Sequence, residues 1–403
     1  MDTANQAWEY LYSKFFCEKT NLFYDYRISQ DADGLISHLP SPELIQRSIP
    51  NPCGWGSGME DSMISGGLAL DIVIHRYNVE KDPDLIPVAQ RIFQGMYHCA
   101  TVSDSKGFLA RSVSPVDGIT HYMDSSRDQY THWVFSALHY YHSSIISEQG
   151  KAQIREVLVA FAERAEKNIT EENSWNYLRE DGKCGAVVGM WGNIHPHEAF
   201  RLPMIYLAAW EVSRNQHFYD LYLQFRNPAL KKSESIDFIG APPLLFGLNQ
   251  MMHSLRVAYD YDTDEVFQDH CLALMQKLAL YGYGKAVAHA KENSRPENVE
   301  LLNYVPKPWT EVPAYLDLIL DDYAYFVPSQ LFTWRPNLGM ARRNLANVGD
   351  AASVWALCPD TPYDENLMQA VTAMLDVVDY EKHYTNGPLY LLAAYWALKN
   401  HNH

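Results

Sequence analysis

Apolar residues recur at i, i+3, i+4 and i+7 through most of the chain, the spacing that lays one stripe along an α-helix. The pattern predicts helices near residues 5–16, 63–77, 85–100, 129–145 and 154–169, and again near 200–214, 244–259, 266–287, 367–380 and 389–399. No convincing alternation of apolar and polar positions argues for strands. Between these stretches lie clusters of Pro, Gly, Asn and Asp, as in SHLPSPELI, NYVPKPWTEVP and CPDTPYDEN, which read as connections.

The predicted helices are of two kinds. Some are apolar nearly all round and carry small residues, such as Ser65, Gly66 and Gly67, or Ala393 and Ala394, as expected of a helix buried on most sides. Others, such as 153–168, are charged along one face and belong outside. Alternation of the two implies concentric layers. Asp61, Asp128 and Glu198 stand at the starts of inner stretches at a spacing of roughly 70 residues, so about six helical hairpins would fill the 403 residues. No low-complexity linker intervenes, and the expectation is one domain spanning residues 1–403.

Composition narrows the function. A hydrophobic share of 47% is ample for a large core. The net charge of −17 removes the attraction on which nucleic-acid and anionic-membrane binding depend, so neither is expected as a partner. The longest apolar run, residues 388–398, is too short to insert across a bilayer. Cys17, Cys53, Cys99, Cys184, Cys271 and Cys358 are scattered without a CxxC pair and read as free thiols. Compartment stays open: periplasmic or secreted if an export signal precedes these residues, cytoplasmic otherwise.

Three segments carry a resemblance: GWGSGMEDSMISGG at 54–67, DSSRDQYTHWVFSALHYY at 124–141 and HPHEAFRLPMIYLAAW at 195–210. With the helical organisation around them, the chain resembles the six-hairpin, (α/α)6-toroid glycosidase superfamily, and within it glycoside hydrolases of bacterial glycan-degrading systems. That resemblance implies an all-α (α/α)6 toroid in which catalytic carboxylates project into a central funnel from inner-helix starts. It implies no cofactor, and a carbohydrate substrate bound by a monomer or weak homo-oligomer.

The same positions have a reading of their own. Ser57 to Glu60 fits S-x-x-E, a capping box that makes Glu60 a helix cap and leaves Asp61 for the funnel. Ser125 to Asp128 fits the looser S-x-x-D form, with Arg127 available to pair with a nearby acid. In HPHE the proline suits a first helical position, and Glu198 falls in the first turn, where the helix dipole favours a carboxylate. Glycoside cleavage needs two unlike carboxyls, one to protonate the leaving oxygen and one to activate water or attack carbon. Asp61 and Asp128 are the expected pair, with Glu198 and Glu60 as further candidates.

Trp55, Trp175, Trp191, Trp309 and Trp334 lie in Gly- or Pro-containing connections, where their rings are candidates for stacking on sugar faces. Arg111, Asp117, Tyr122 and Glu311 are further binding candidates, although each is of a type that commonly braces loops. His195 and His197 are counted with the substrate-binding residues. Two histidines and Glu198 make an incomplete zinc set, and no metal is expected. Arg111, Arg127, Arg201 and Arg335 keep anionic sugars in view, so an unsaturated-uronide hydrolase or polysaccharide lyase is the alternative on this fold. A non-catalytic glycan-binding toroid is a third.

Overall fold

The computed structural model describes residues 2–185, 187–306, 310 and 336–401. Helices dominate it. In chain order the short α2 (Pro42–Gln46) and α11 (Pro296–Leu301) interrupt a regular alternation of outer and inner helices. The outer helices are α1 (Thr3–Phe15), α4 (Leu85–Thr101), α6 (Glu148–Asn168), α8 (Gln216–Glu234), α10 (Glu265–Asn293) and α13 (Glu365–Asp376). The inner helices are α3 (Ser62–Glu80), α5 (Arg127–His142), α7 (Arg201–Ser213), α9 (Leu245–Tyr261), α12 (Pro336–Ala356) and α14 (Pro388–Asn400).

Contacts between inner helices run α3, α5, α7, α9, α12, α14 and back to α3, which closes a ring. Each outer helix packs on inner helices from outside. This is the all-α (α/α)6 toroid. A two-strand hairpin, Phe16–Cys17 against Leu22–Phe23, is the exception to the strandless expectation. It turns the chain back under α1 and is too short to leave a periodic signal. Two helices of the ring system, α8 and α12, were not predicted by the apolar spacing.

Burial follows the layers. In α3, residues from Ser62 to Ile74 are continuously buried, whereas α6 buries one stripe and exposes the rest. Small residues set how closely inner helices approach. A Cβ on Gly349 in α12 would stand 2.3 Å from the backbone of Tyr390 in α14, and one on Gly67 in α3 would stand 2.9 Å from Ser136 Oγ in α5. No helix among the described residues is long and apolar enough to cross a membrane.

Because a backbone cannot retreat as a side-chain end can, Gly349→Ala should destabilise the fold by at least about 1–3 kcal/mol in chemical denaturation. Gly284→Ala, on the outer helix α10 with nothing within 4 Å of the new methyl, should instead gain about 0.5–1 kcal/mol. Equal effects at the two sites would contradict the close α12–α14 contact.

Candidate functional site at the inner-helix starts

The glycine-rich loop before α3 is tied down from several sides. Asn51 Oδ1 accepts from Cys53 N (3.1 Å) and Trp55 N (3.0 Å), while Asn51 Nδ2 donates to the Trp55 carbonyl (2.9 Å). Ser57 Oγ donates to the Gly54 carbonyl at 2.6 Å, and Tyr26 donates its phenol to the Gly56 carbonyl at 2.6 Å. Gly54 and Gly58 adopt φ of 68° and 91°, a region costly for residues with a side chain. Both are also crowded: a Cβ would fall 2.5 Å from the Tyr122 ring and 2.8 Å from His38.

This bracing corrects the capping expectation. Glu60 is buried and its Oε2 accepts from Gly56 N, inside the loop. Helix α3 starts at Ser62 with Asp61 in the N-cap position, yet the Asp61 side chain makes no capping bond. Asp25, distant in sequence, supplies acceptors instead: its Oδ2 takes Glu60 N at 2.8 Å and Asp61 N at 3.3 Å. The Asp61 carboxylate is thereby turned to the ring axis.

There it meets groups from two other inner helices and from the connection before α5. Arg342 Nη1 of α12 donates to Asp61 Oδ2 at 2.8 Å, Gln129 Nε2 of α5 donates to Asp61 Oδ1 at 3.0 Å, and Arg111 Nη1 lies 4.0 Å from Oδ1. Arg342 also donates through Nη2 to the phenol of Tyr390 in α14 at 3.0 Å. Arg111 is buried, bonds the carbonyls of Glu60 (3.0 Å) and Ser125 (3.1 Å), and lies 5.4 Å from the ring centre of Trp55.

The second acid stands one inner helix away. The N-cap of α5 is Ser126, one residue later than the S-x-x-D spacing implied, and its Oγ accepts from Gln129 N. Asp128 is thus free of capping and accepts from Arg201 Nη1 at 2.6 Å. Arg201 opens α7, is almost fully buried, and donates through Nη2 to Gln250 of α9. Glu198 accepts from Arg127 and, through Oε2, from the backbone N–H of His195 at 3.0 Å. HPHE forms a 3-10 turn, Pro196–Glu198, and the α-helix proper starts at Arg201. Groups from the starts of all six inner helices therefore meet at one mouth.

Electrostatics divides these carboxyls. Burial alone would raise the Asp128 carboxyl, but Arg201 and Arg127 outweigh it and hold it below its ordinary value. Burial pushes Asp25 well above its ordinary value, with Arg342 pulling the other way. Asp350, two turns below Arg342 and accepting from Asn249 Nδ2 at 3.0 Å, is pushed up to about 7 by burial. Beneath the acids, burial lowers His132 of α5 to about 4 and drives His253 of α9 well below its ordinary value, so both rings are neutral at pH 7. They lie 5.0 Å apart edge to face, each with a buried Nδ1 that has no hydrogen-bond partner among the described residues.

The remaining candidates divide. Tyr122 is buried, donates to the Ile49 carbonyl at 2.6 Å and props Gly54, which makes it part of the loop's foundation. Asp117 is spent on its own turn, accepting from Ile119 N and Thr120 N at 3.0 Å each. Trp191 packs edge-on against Phe225, and Trp175 holds φ of 60° with its ring against Gly192. His197 packs against Gly247 of α9 and is lowered to about 4 by burial, against the pull of Glu198; His195 is exposed and stacks on it. Among the described residues no group of three or more His, Cys, Asp or Glu comes together as a metal site. Trp309, Glu311, Trp334 and Arg335 lie outside the described residues. Asp25, Gln129, Arg342, Asp350, Tyr390 and the His132–His253 pair were not anticipated.

No family model matches the chain, and no curated protein does. Among solved structures, a sugar epimerase from a ruminal bacterium is similar at 12% identity, with a TM-score of 0.46 over 98% of this chain and 98% of that one.

The raised Asp350 carboxyl has a measurable consequence. It keeps its proton in the folded state up to about pH 7, while in the unfolded chain it loses it near pH 4. The folded state thus binds more protons over that window, and this residue makes stability fall as pH rises from about 4 to about 7. Asp350→Asn, which preserves the acceptor for Asn249, should flatten that part of the stability–pH curve measured by urea unfolding. An unchanged slope would contradict the assignment.

Proposed function

We propose that the protein is a glycoside hydrolase that cleaves an oligo- or polysaccharide between Asp61 and Asp128. One observation carries the reading. These two carboxylates from neighbouring hairpins keep 22% and 27% of their side chains exposed, beside the part-exposed Arg127 and Arg342. Glu60 and Glu198, by contrast, are buried and bonded to backbone N–H groups.

The roles follow from the surroundings. Asp128, held ionised by Arg201 and Arg127, suits the carboxylate that activates water or attacks the sugar carbon. Asp61 is the facing carboxyl; to serve the leaving oxygen it would have to take up a proton and give up its ion pair with Arg342. Trp55, half-buried at the loop beside it and backed by Arg111, offers a ring for a sugar face. The charges favour a neutral glycan over a uronate. Arg127 is matched by Glu198, Arg201 by Asp128 and Arg342 by Asp61, and the fourth arginine, Arg111, is buried on the carbonyls of Glu60 and Ser125, which leaves little positive charge presented to a sugar carboxylate.

Asp128→Asn and Asp61→Asn should each reduce kcat on a cleavable glycan by about 10²–10⁴-fold, with glycan binding within a few-fold of wild type. Turnover should be sought on a panel of neutral disaccharides by reducing-end release. Wild-type turnover that survives both substitutions would overturn the roles. A product absorbing in the near ultraviolet would favour a lyase, and glycan binding without turnover a binding toroid.

A further inference from the structure

The opposite end of the ring, where the inner helices finish, holds a separate cavity of about 330 Å3. Leu138, Val257, Leu357 and Ala397 give it apolar walls from four inner-helix ends. Phe135 closes it toward the axis and stacks on His253 at 4.1 Å and 10°, so one ring separates this cavity from the histidine pair beneath the acids.

Polar groups in the wall have partners of their own, Asp71 behind it and Asp260 within it. Asp71 of α3 is buried, and its Oδ2 accepts from Ser136 Oγ at 2.8 Å while Oδ1 takes His139 Nδ1 at 2.9 Å. A buried carboxylate is costly unless bonded in this way, and the bond orients the imidazole, leaving Nε2 for a further partner. His139 lines the cavity. Across from it, Arg256 Nε bonds both oxygens of Asp260 (2.9 and 2.8 Å) and Nη1 bonds the Leu357 carbonyl (2.9 Å). The guanidinium is part-exposed and bonded on two edges, its charge is balanced by Asp260, and Nη2 makes no further bond among the described residues.

A pocket with apolar walls, an oriented imidazole edge, a guanidinium donor and a paired carboxylate selects a small neutral ligand whose hydroxyls both donate and accept. We propose that this cavity is a second carbohydrate site holding one neutral monosaccharide ring. Sugar hydroxyls bond the His139 imidazole, donate to Asp260 and accept from Arg256, while the C–H face packs on the aliphatic wall. The site lies at the far end from Asp61 and Asp128 and does not rest on the catalytic reading.

D-glucose is the probe, titrated into the full chain by calorimetry and by NMR of the His139 ring nitrogens, assigned through His139→Gln. Binding should shift the His139 signals. Arg256→Met, which removes the donor at a part-exposed position, should weaken glucose about tenfold, as should Ala397→Phe, which fills the cavity. Asp128→Asn should leave glucose binding here unchanged. If Ala397→Phe does not fold, Arg256→Met decides. Absence of binding up to about 100 mM glucose, far weaker than the millimolar range, would overturn the site. So would loss in Asp128→Asn with retention in Arg256→Met, or acetate binding in place of glucose.

Discussion

Charges enclosed by a ring of helices must be paired, and that requirement organises the mouth of this toroid. Asp61, Asp128 and Glu198 stand at inner-helix starts where backbone N–H groups and helix dipoles favour anions. Arg342, Arg201 and Arg127 answer them from neighbouring helices. Each pair joins two elements distant in sequence. A buried pair of this kind contributes less to net stability than its geometry suggests, because both partners leave water. What it fixes is position: the carboxylates that remain open to solvent are held in one orientation.

The second layer of support is equally specific. Asp25 holds the N–H groups of Glu60 and Asp61 just ahead of α3, and the Asp61 side chain, although at the N-cap, makes no capping bond. Ser126 occupies the α5 N-cap ahead of Asp128. A first-turn acid is ordinarily a cap. At α5 Ser126 does the capping, at α3 no side chain does, and both acids are left for partners on other inner helices.

The layered helical architecture was legible because burial imposes a period: inner helices read apolar all round and outer ones carry a stripe. Where that logic bends, legibility ends. Helix α12 faces the polar mouth, so Arg342, Asn347 and Asp350 interrupt its apolar pattern and hid it. Helix α8 carries Pro228 in its interior, which normally ends a helix. Asp61 and Asp128 could be singled out because they sit at predicted helix starts. Their partners could not, since the Asp61–Arg342 contact joins residues on opposite sides of ring closure, and nothing local marks Asp25 as a cap for a loop far along the chain. Among the loop rings, Trp191 lies edge-on to Phe225, and Tyr122, of a type that commonly braces loops, does so against Gly54.

Under the proposed function, carboxylates from separate hairpins converge on one sugar-binding hollow at the inner-helix starts. A crystal structure of the Asp128→Asn protein soaked with a disaccharide substrate tests it most directly. The account predicts the sugar at the mouth, with its glycosidic oxygen within hydrogen-bond reach of Asp61 and a ring beside Trp55. A disaccharide bound elsewhere, with Asp61 and Asp128 facing only their arginines, would contradict it.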